Sequence, residues 1–163
     1  MASVPAARIV PPRAKIDRRG LATSIIVTVA IAAVTNGALA AFGLNRPSNQ
    51  IWPSFAPPGP AIGVIWIVLF AGMGAAFWLA PTRRRAIAGL IVLCLAYPFY
   101  THMIGGHLTE FVGNIVTFAY AIWLAIEVRS VRVATIFIGL VAAWIAFATA
   151  LVIALGQLNG WNT

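Results

Sequence analysis

Five stretches of this chain run for roughly 20 residues with few or no charged side chains, the length a helix needs to cross about 30 Å of hydrocarbon at about 1.5 Å per residue. They occupy residues 21–43, 60–80, 86–104, 108–128 and 131–155. The pattern predicts an all-α, integral membrane protein: a five-helix transmembrane bundle over 20–158, after a basic tail at 1–19 and before a short tail at 159–163. The tail MASVPAARIVPPRAKIDRR mixes Pro, Ala and basic residues without apolar periodicity, and reads as a flexible segment drawn to anionic headgroups. The first apolar run is longer than the core of a secretory signal and reads as a retained span.

Loops after the first are short, so consecutive helices should be antiparallel neighbours. Lipid tails are as apolar as leucine, and helices in a bilayer therefore associate through close backbone approach at small residues spaced four apart. Ala33, Gly37 and Ala41 supply such a stripe on the first span, Gly72 and Ala76 on the second, Gly139 and Ala143 on the fifth. These stripes fit helix contacts inside the monomer, with a homodimer seam as the alternative. The first loop is long and holds Pro47, Pro53, Pro57, Pro58 and Pro60 with Trp52 and Phe55 among them. Proline fixes φ and removes a donor, so this loop is stiff but not helical throughout. It suits either a lid over the bundle mouth or an interfacial turn anchored by Trp52.

Composition agrees with a lipid-facing surface: 61% of residues are hydrophobic and 9% charged, with a mean hydropathy of +0.94. The net charge of +8 would suit nucleic acid, until the basic residues are located. Arg8, Arg13, Lys15, Arg18 and Arg19 precede the first span, Arg83, Arg84 and Arg85 separate the second and third, and Arg129 and Arg132 separate the fourth and fifth. Arg46 alone lies in a loop of the other parity. The positive-inside rule then puts the N-terminus in the cytoplasm and the C-terminus outside, with a bacterial inner membrane as the expected location and no nucleic-acid partner. The single cysteine, Cys94, lies in the third span and reads as a small packing residue.

Residues 53–80, PSFAPPGPAIGVIWIVLFAGMGAAFWLA, resemble the TspO/MBR family, the tryptophan-rich sensory proteins related to the mitochondrial translocator protein. Pro53, Phe55, Pro57, Pro58, Gly59, Trp66, Leu69, Phe70, Met73 and Gly74 stand in that family's P-x-F-x-P-P-G and W-x-x-L-Y/F-x-x-M-G places. In the last span Trp144, Phe147, Ala148, Thr149, Leu151, Leu158 and Asn159 agree in register with a second family segment, and Tyr97, Pro98, Phe99 and Tyr100 echo a third. The resemblance implies a five-helix membrane fold and a receptor or carrier for tetrapyrroles or sterol-like molecules. Several family positions differ: Pro47 and Ser48 replace a Trp-Tyr pair, Pro60 an aromatic, Leu93 and Ala96 an Asn and a Trp, Leu140 and Val141 a Pro-Tyr pair, and Val152 an Asn. Each lost polar group removes a pocket hydrogen bond worth about 0.5–1.5 kcal/mol net.

Ionisable groups near a bilayer are costly and are functional candidates. His102, His107 and Glu110 cluster at the short loop between the third and fourth spans, with Asn114 one turn deeper. They form an expected polar rim to a cavity lined by Trp52, Phe55, Pro57, Pro58, Trp66, Phe70, Tyr97, Tyr100, Trp144 and Phe147. The histidines read as solvated loop residues, with axial ligation of a tetrapyrrole metal as the alternative. Asn36 reads as an interhelical hydrogen-bonding group. Ser24, Ser48, Ser54 and Ser130 have no histidine close in sequence, and no carboxylate pair or phosphate loop is evident, so neither enzymatic activity nor a metal site is expected. The expected function is binding of a flat hydrophobic small molecule, with no obligatory cofactor and a tetrapyrrole as the candidate ligand. The alternative is a non-catalytic accessory subunit, held as a homodimer or in a larger membrane complex, that has kept the bundle without the pocket. A tetrapyrrole-modifying enzyme is the reading least supported by so few acid-base groups.

Overall fold

The computed structural model describes residues 17–42 and 50–161. Arg8, Arg13 and Lys15 of the tail, and Arg46, Pro47 and Ser48 of the first loop, lie outside the described residues. The helices are α1 (Arg18–Ala41), α2 (Gly59–Leu79), α3 (Arg84–Ile104), α4 (His107–Glu127) and α5 (Arg132–Asn159), with one 3₁₀ turn at Pro81–Arg83. All five are long and apolar enough to cross a membrane.

Local chemistry sets their ends. The Asp17 carboxylate accepts from the Arg19 amide at 3.1 Å and caps α1. Proline stands in the first turn of α2, where its missing N–H costs nothing. Gly105 and Gly106, with φ of 76° and 78°, turn the chain between α3 and α4 in a backbone region that a side chain would disfavour. The fifth helix continues beyond the predicted 155 to Asn159, and Gly160 at φ 96° ends it.

Consecutive helices are neighbours, as the short loops require, and α2 is central: it packs against α1, α3 and α5, while α4 lies against α3 and α5. Large side chains such as Ile26, Val34, Val64, Val92 and Ile136 point outward, where only lipid matches them. The interior of α2 is a run of small groups, Gly72 and Gly74 to Ala76, interrupted by the fully buried Met73. A Cβ on Gly74 would stand 2.8 Å from the Ser24 carbonyl oxygen and 2.8 Å from the Thr28 hydroxyl of α1. A Cβ on Gly72 would stand 2.7 Å from the Phe137 ring of α5. Close approach lets the Ser24 hydroxyl donate to the Gly74 carbonyl at 2.7 Å, and Thr28 donates to the Ser24 carbonyl at 2.8 Å.

The other small-residue stripes are not interior. Ala33, Gly37 and Ala41 are exposed on α1, and Ala143 is exposed on α5. A Cβ added to Gly37 or Gly139 would meet nothing within 4 Å among the described residues. Thr28, Ala32 and Leu39 form the buried side of α1 instead. Four-residue spacing marks a helix face but cannot say which way that face turns.

At the end of the bundle that carries the arginines, Arg83 pairs with Glu127. There Tyr120 donates its hydroxyl to the Ala86 carbonyl at 3.0 Å, and Arg84 lies 4.9 Å from the Trp78 ring. At the opposite end the first loop is latched to α5. The Ile51 amide donates to Asn159 Oδ1 at 2.8 Å, and Asn159 Nδ2 donates to the Ile51 carbonyl at 2.9 Å. Phe55 meets Phe147 edge-on at 6.2 Å.

Gly74→Val should destabilise the detergent-solubilised protein by about 1–3 kcal/mol, read as a lower thermal midpoint by circular dichroism. Gly37→Val, with the same change in helix propensity on an open face, should shift it by no more than about 0.5 kcal/mol. Asn159→Leu removes both bonds to Ile51, and hydrogen exchange at the Ile51 amide should accelerate while helix content stays constant.

Candidate functional site

The latched loop covers a cavity of about 920 Å³ to which all five helices contribute. Its roof is Trp52, Pro53, Ala56, Pro57 and Pro58, and its aromatic wall is Trp66 and Phe70 of α2 with Trp144 of α5. Proline supplies rigid, apolar roof surface without backbone donors needing partners. The wall rings support one another. Trp66 meets Phe70 at 5.7 Å and stands edge-on to Trp144 at 6.4 Å. Trp144 stacks on Phe147 at 5.4 Å, and Phe147 in turn meets Phe55 of the loop.

This chain of rings explains where the sequence reading was too generous. Phe55, Phe147 and Tyr100 do not line the cavity. Phe147 backs Trp144, and Phe55 uses Phe147 as its seat on α5. Tyr100 turns between α3 and α4 towards Gly113, where it borders a separate hollow. The other expected lining residues, Trp52, Pro57, Pro58, Trp66, Phe70, Tyr97 and Trp144, are brought together.

One face of α4 brings His107, Glu110, Asn114 and Thr117 to the cavity, which His102 and Thr101 of α3 and Thr35 and Asn36 of α1 also line. The spacing of the four on α4 places them on successive turns of one side. His107 is not a solvated loop residue; it opens α4 with 2% of its surface exposed, whereas His102 is exposed. Its Nδ1 lies 3.1 Å from Glu110 Oε2. This contact occupies Nδ1 and leaves Nε2 as the far ring nitrogen. The buried His107 Nε2, Asn114 Nδ2 and Trp144 Nε1 have no hydrogen-bond partner among the described residues. All three belong to cavity-lining residues. Buried polar atoms are normally paired, and three around one cavity mark it as a place for a polar group from elsewhere.

Asn36 is exposed and lines the cavity beside Thr35, instead of bonding to a neighbouring helix as expected. Cys94 is buried as a packing residue would be, and its side also borders the cavity. Sequence reasoning missed Thr101 and Thr117, although the spacing of His107, Glu110 and Asn114 extends to Thr117, and that of Cys94, Tyr97 and Pro98 extends to Thr101. Neither hydroxyl is a spare donor: Thr101 donates to the Tyr97 carbonyl and Thr117 to the Gly113 carbonyl, each at 2.8 Å. Among the described residues no group of three or more His, Cys, Asp or Glu side chains converges to hold a metal ion.

A search of curated proteins finds no match to this chain. The sequence profile of the TspO/MBR family matches residues 21–158, from the first turn of α1 to the end of α5. That match, the five membrane-spanning helices and the roofed aromatic cavity agree, and the chain belongs to the TspO/MBR family as a multi-pass membrane protein.

Proposed function

We propose that this protein is a membrane receptor or carrier that holds a flat hydrophobic ligand, tetrapyrrole or sterol-like, beneath its first loop. The observation that carries the reading is the cavity of about 920 Å³ bounded by Trp66, Trp144 and a proline roof. That size lies within the range of about 300–1,000 Å³ common to small-molecule sites, and flat aromatic walls favour a flat guest. Burial against these walls supplies affinity, and the latch on Ile51 limits how readily the roof lifts. With the arginine-rich end in the cytoplasm by the positive-inside rule, the cavity mouth faces the outer side of a bacterial inner membrane.

A second reading has its own observation. The stripe Ala33, Gly37 and Ala41 faces outward, and close helix approach at small residues is how membrane helices associate. An accessory subunit would use this face to join a larger complex.

Porphyrin binding, followed by quenching of tryptophan fluorescence in detergent, tests the first reading. Trp66→Ala should weaken binding by about tenfold or more and Trp144→Ala similarly, since each removes a wall of the cavity. Saturable binding indifferent to both substitutions would remove the case for this cavity as the site. Purification in mild detergent separates the two readings: the receptor emerges without a stoichiometric partner and binds porphyrin, whereas the accessory subunit retains its partner and does not.

A further inference from the structure

Two of the residues that carry unpartnered nitrogens lie at about the same depth. Asn114 stands thirteen residues from Glu127, the arginine-end terminus of α4, and Trp144 twelve residues from Arg132, the corresponding terminus of α5. At about 1.5 Å per residue both lie about 18–20 Å above that end of the bundle. Trp66 and Tyr97, each thirteen residues from Leu79 and Arg84 respectively, share the level. Asn114 is 4% exposed, and the Trp144 indole nitrogen is buried. His107 lies on the same face of α4, seven residues and about 10 Å nearer the mouth.

The donor chemistry is specific. An indole nitrogen can only donate, and a primary amide nitrogen can only donate. Two N–H groups on residues at one level therefore call for an acceptor that needs nothing in return. A carbonyl or carboxylate oxygen offers two lone pairs and carries no hydrogen. A hydroxyl would bring a proton requiring its own acceptor, which neither N–H group supplies. A hydrocarbon edge would leave both nitrogens unpaired in a dry site, the costliest arrangement.

We propose that the cavity selects ligands bearing a carbonyl or carboxylate oxygen on the edge that penetrates deepest, and that Asn114 Nδ2 and Trp144 Nε1 donate to that oxygen. The inference rests on the ligand-binding reading above and narrows it from flat hydrophobic molecules to flat molecules with an acceptor oxygen. Asn114 and Trp144 orient the ligand, while Trp66 supplies apolar surface to any flat guest.

Three porphyrins with a common ring make the test: a dicarboxylic porphyrin, its dimethyl ester, and an octaalkyl porphyrin without oxygen. The ester keeps the carbonyl and loses the charge, so it separates hydrogen bonding from electrostatic attraction. The diacid and the ester should each bind the unaltered protein about fivefold or more tighter than the octaalkyl porphyrin. Asn114→Leu and Trp144→Phe, which keep volume or ring, should each shrink that preference, whereas Trp66→Ala should weaken all three alike. The thermal midpoint of ligand-free Asn114→Leu should be unchanged or higher, because the substitution removes an unpaired buried donor. A structural hydrogen-bonding asparagine would give the opposite sign. Equal affinity for all three porphyrins, or a lower midpoint for Asn114→Leu with undiminished preference for the ester, would overturn the inference and leave the receptor reading standing. Failure of every porphyrin to saturate the unaltered protein would sink the receptor reading, and this inference with it.

Discussion

In hydrocarbon a leucine gains nothing by turning away from its surroundings, so close contact between backbones has to hold this bundle together. That contact is concentrated on α2. At Gly74 the helix approaches α1 closely enough for Ser24 to reach across to its carbonyl, and at Gly72 it admits the Phe137 ring of α5. Three helices close on α2 because its interior side, from Gly72 to Ala76, is made mostly of small residues. The arginine end is then tied further by Arg83 to Glu127 and by Tyr120 to the Ala86 carbonyl.

The cavity follows from a change of residue size along the same helix. Towards the first loop, α2 bears Phe70, Trp66 and Ile62 where it bore glycine and alanine below, and these side chains line open space instead of admitting a neighbour. Trp144 completes the wall, and the rings from Phe70 through Trp66, Trp144 and Phe147 to Phe55 form one line of contact between the bundle and its roof. A bundle tight at one end and propped open at the other is suited to holding a guest, because the packed end keeps the walls from collapsing.

Differences from the family pattern lie mainly in α3 and α5, where Leu93, Ala96 and Val152 stand in place of polar or aromatic groups. The cavity is nonetheless not apolar throughout, since α4 contributes His107, Glu110 and Asn114 and α5 the Trp144 indole. On α4 the His107 and Glu110 contact holds one ring and leaves its far nitrogen without a hydrogen-bond partner among the described residues.

The chain's own order of residues was sufficient for the number of spans, their neighbours and the membrane as solvent, because apolar length against bilayer thickness is a local quantity read along one segment. It was sufficient also for the aromatic pair Trp66 and Trp144, whose ordered motifs carry the family resemblance. It could not orient the small-residue stripes: Ala33, Gly37 and Ala41 match Gly72 and Ala76 in spacing, yet the first set faces outward and the second is buried. Nor could it separate Phe55, Phe147 and Tyr100, which support or bypass the cavity, from the rings that line it, or reveal that His107 is buried and Asn36 is not. These outcomes depend on how each helix is rotated about its axis against its neighbours. Rotation is decided jointly by contacts such as Gly74 on Ser24 and Gly72 on Phe137, which join residues far apart in the chain and exist only once the bundle has closed.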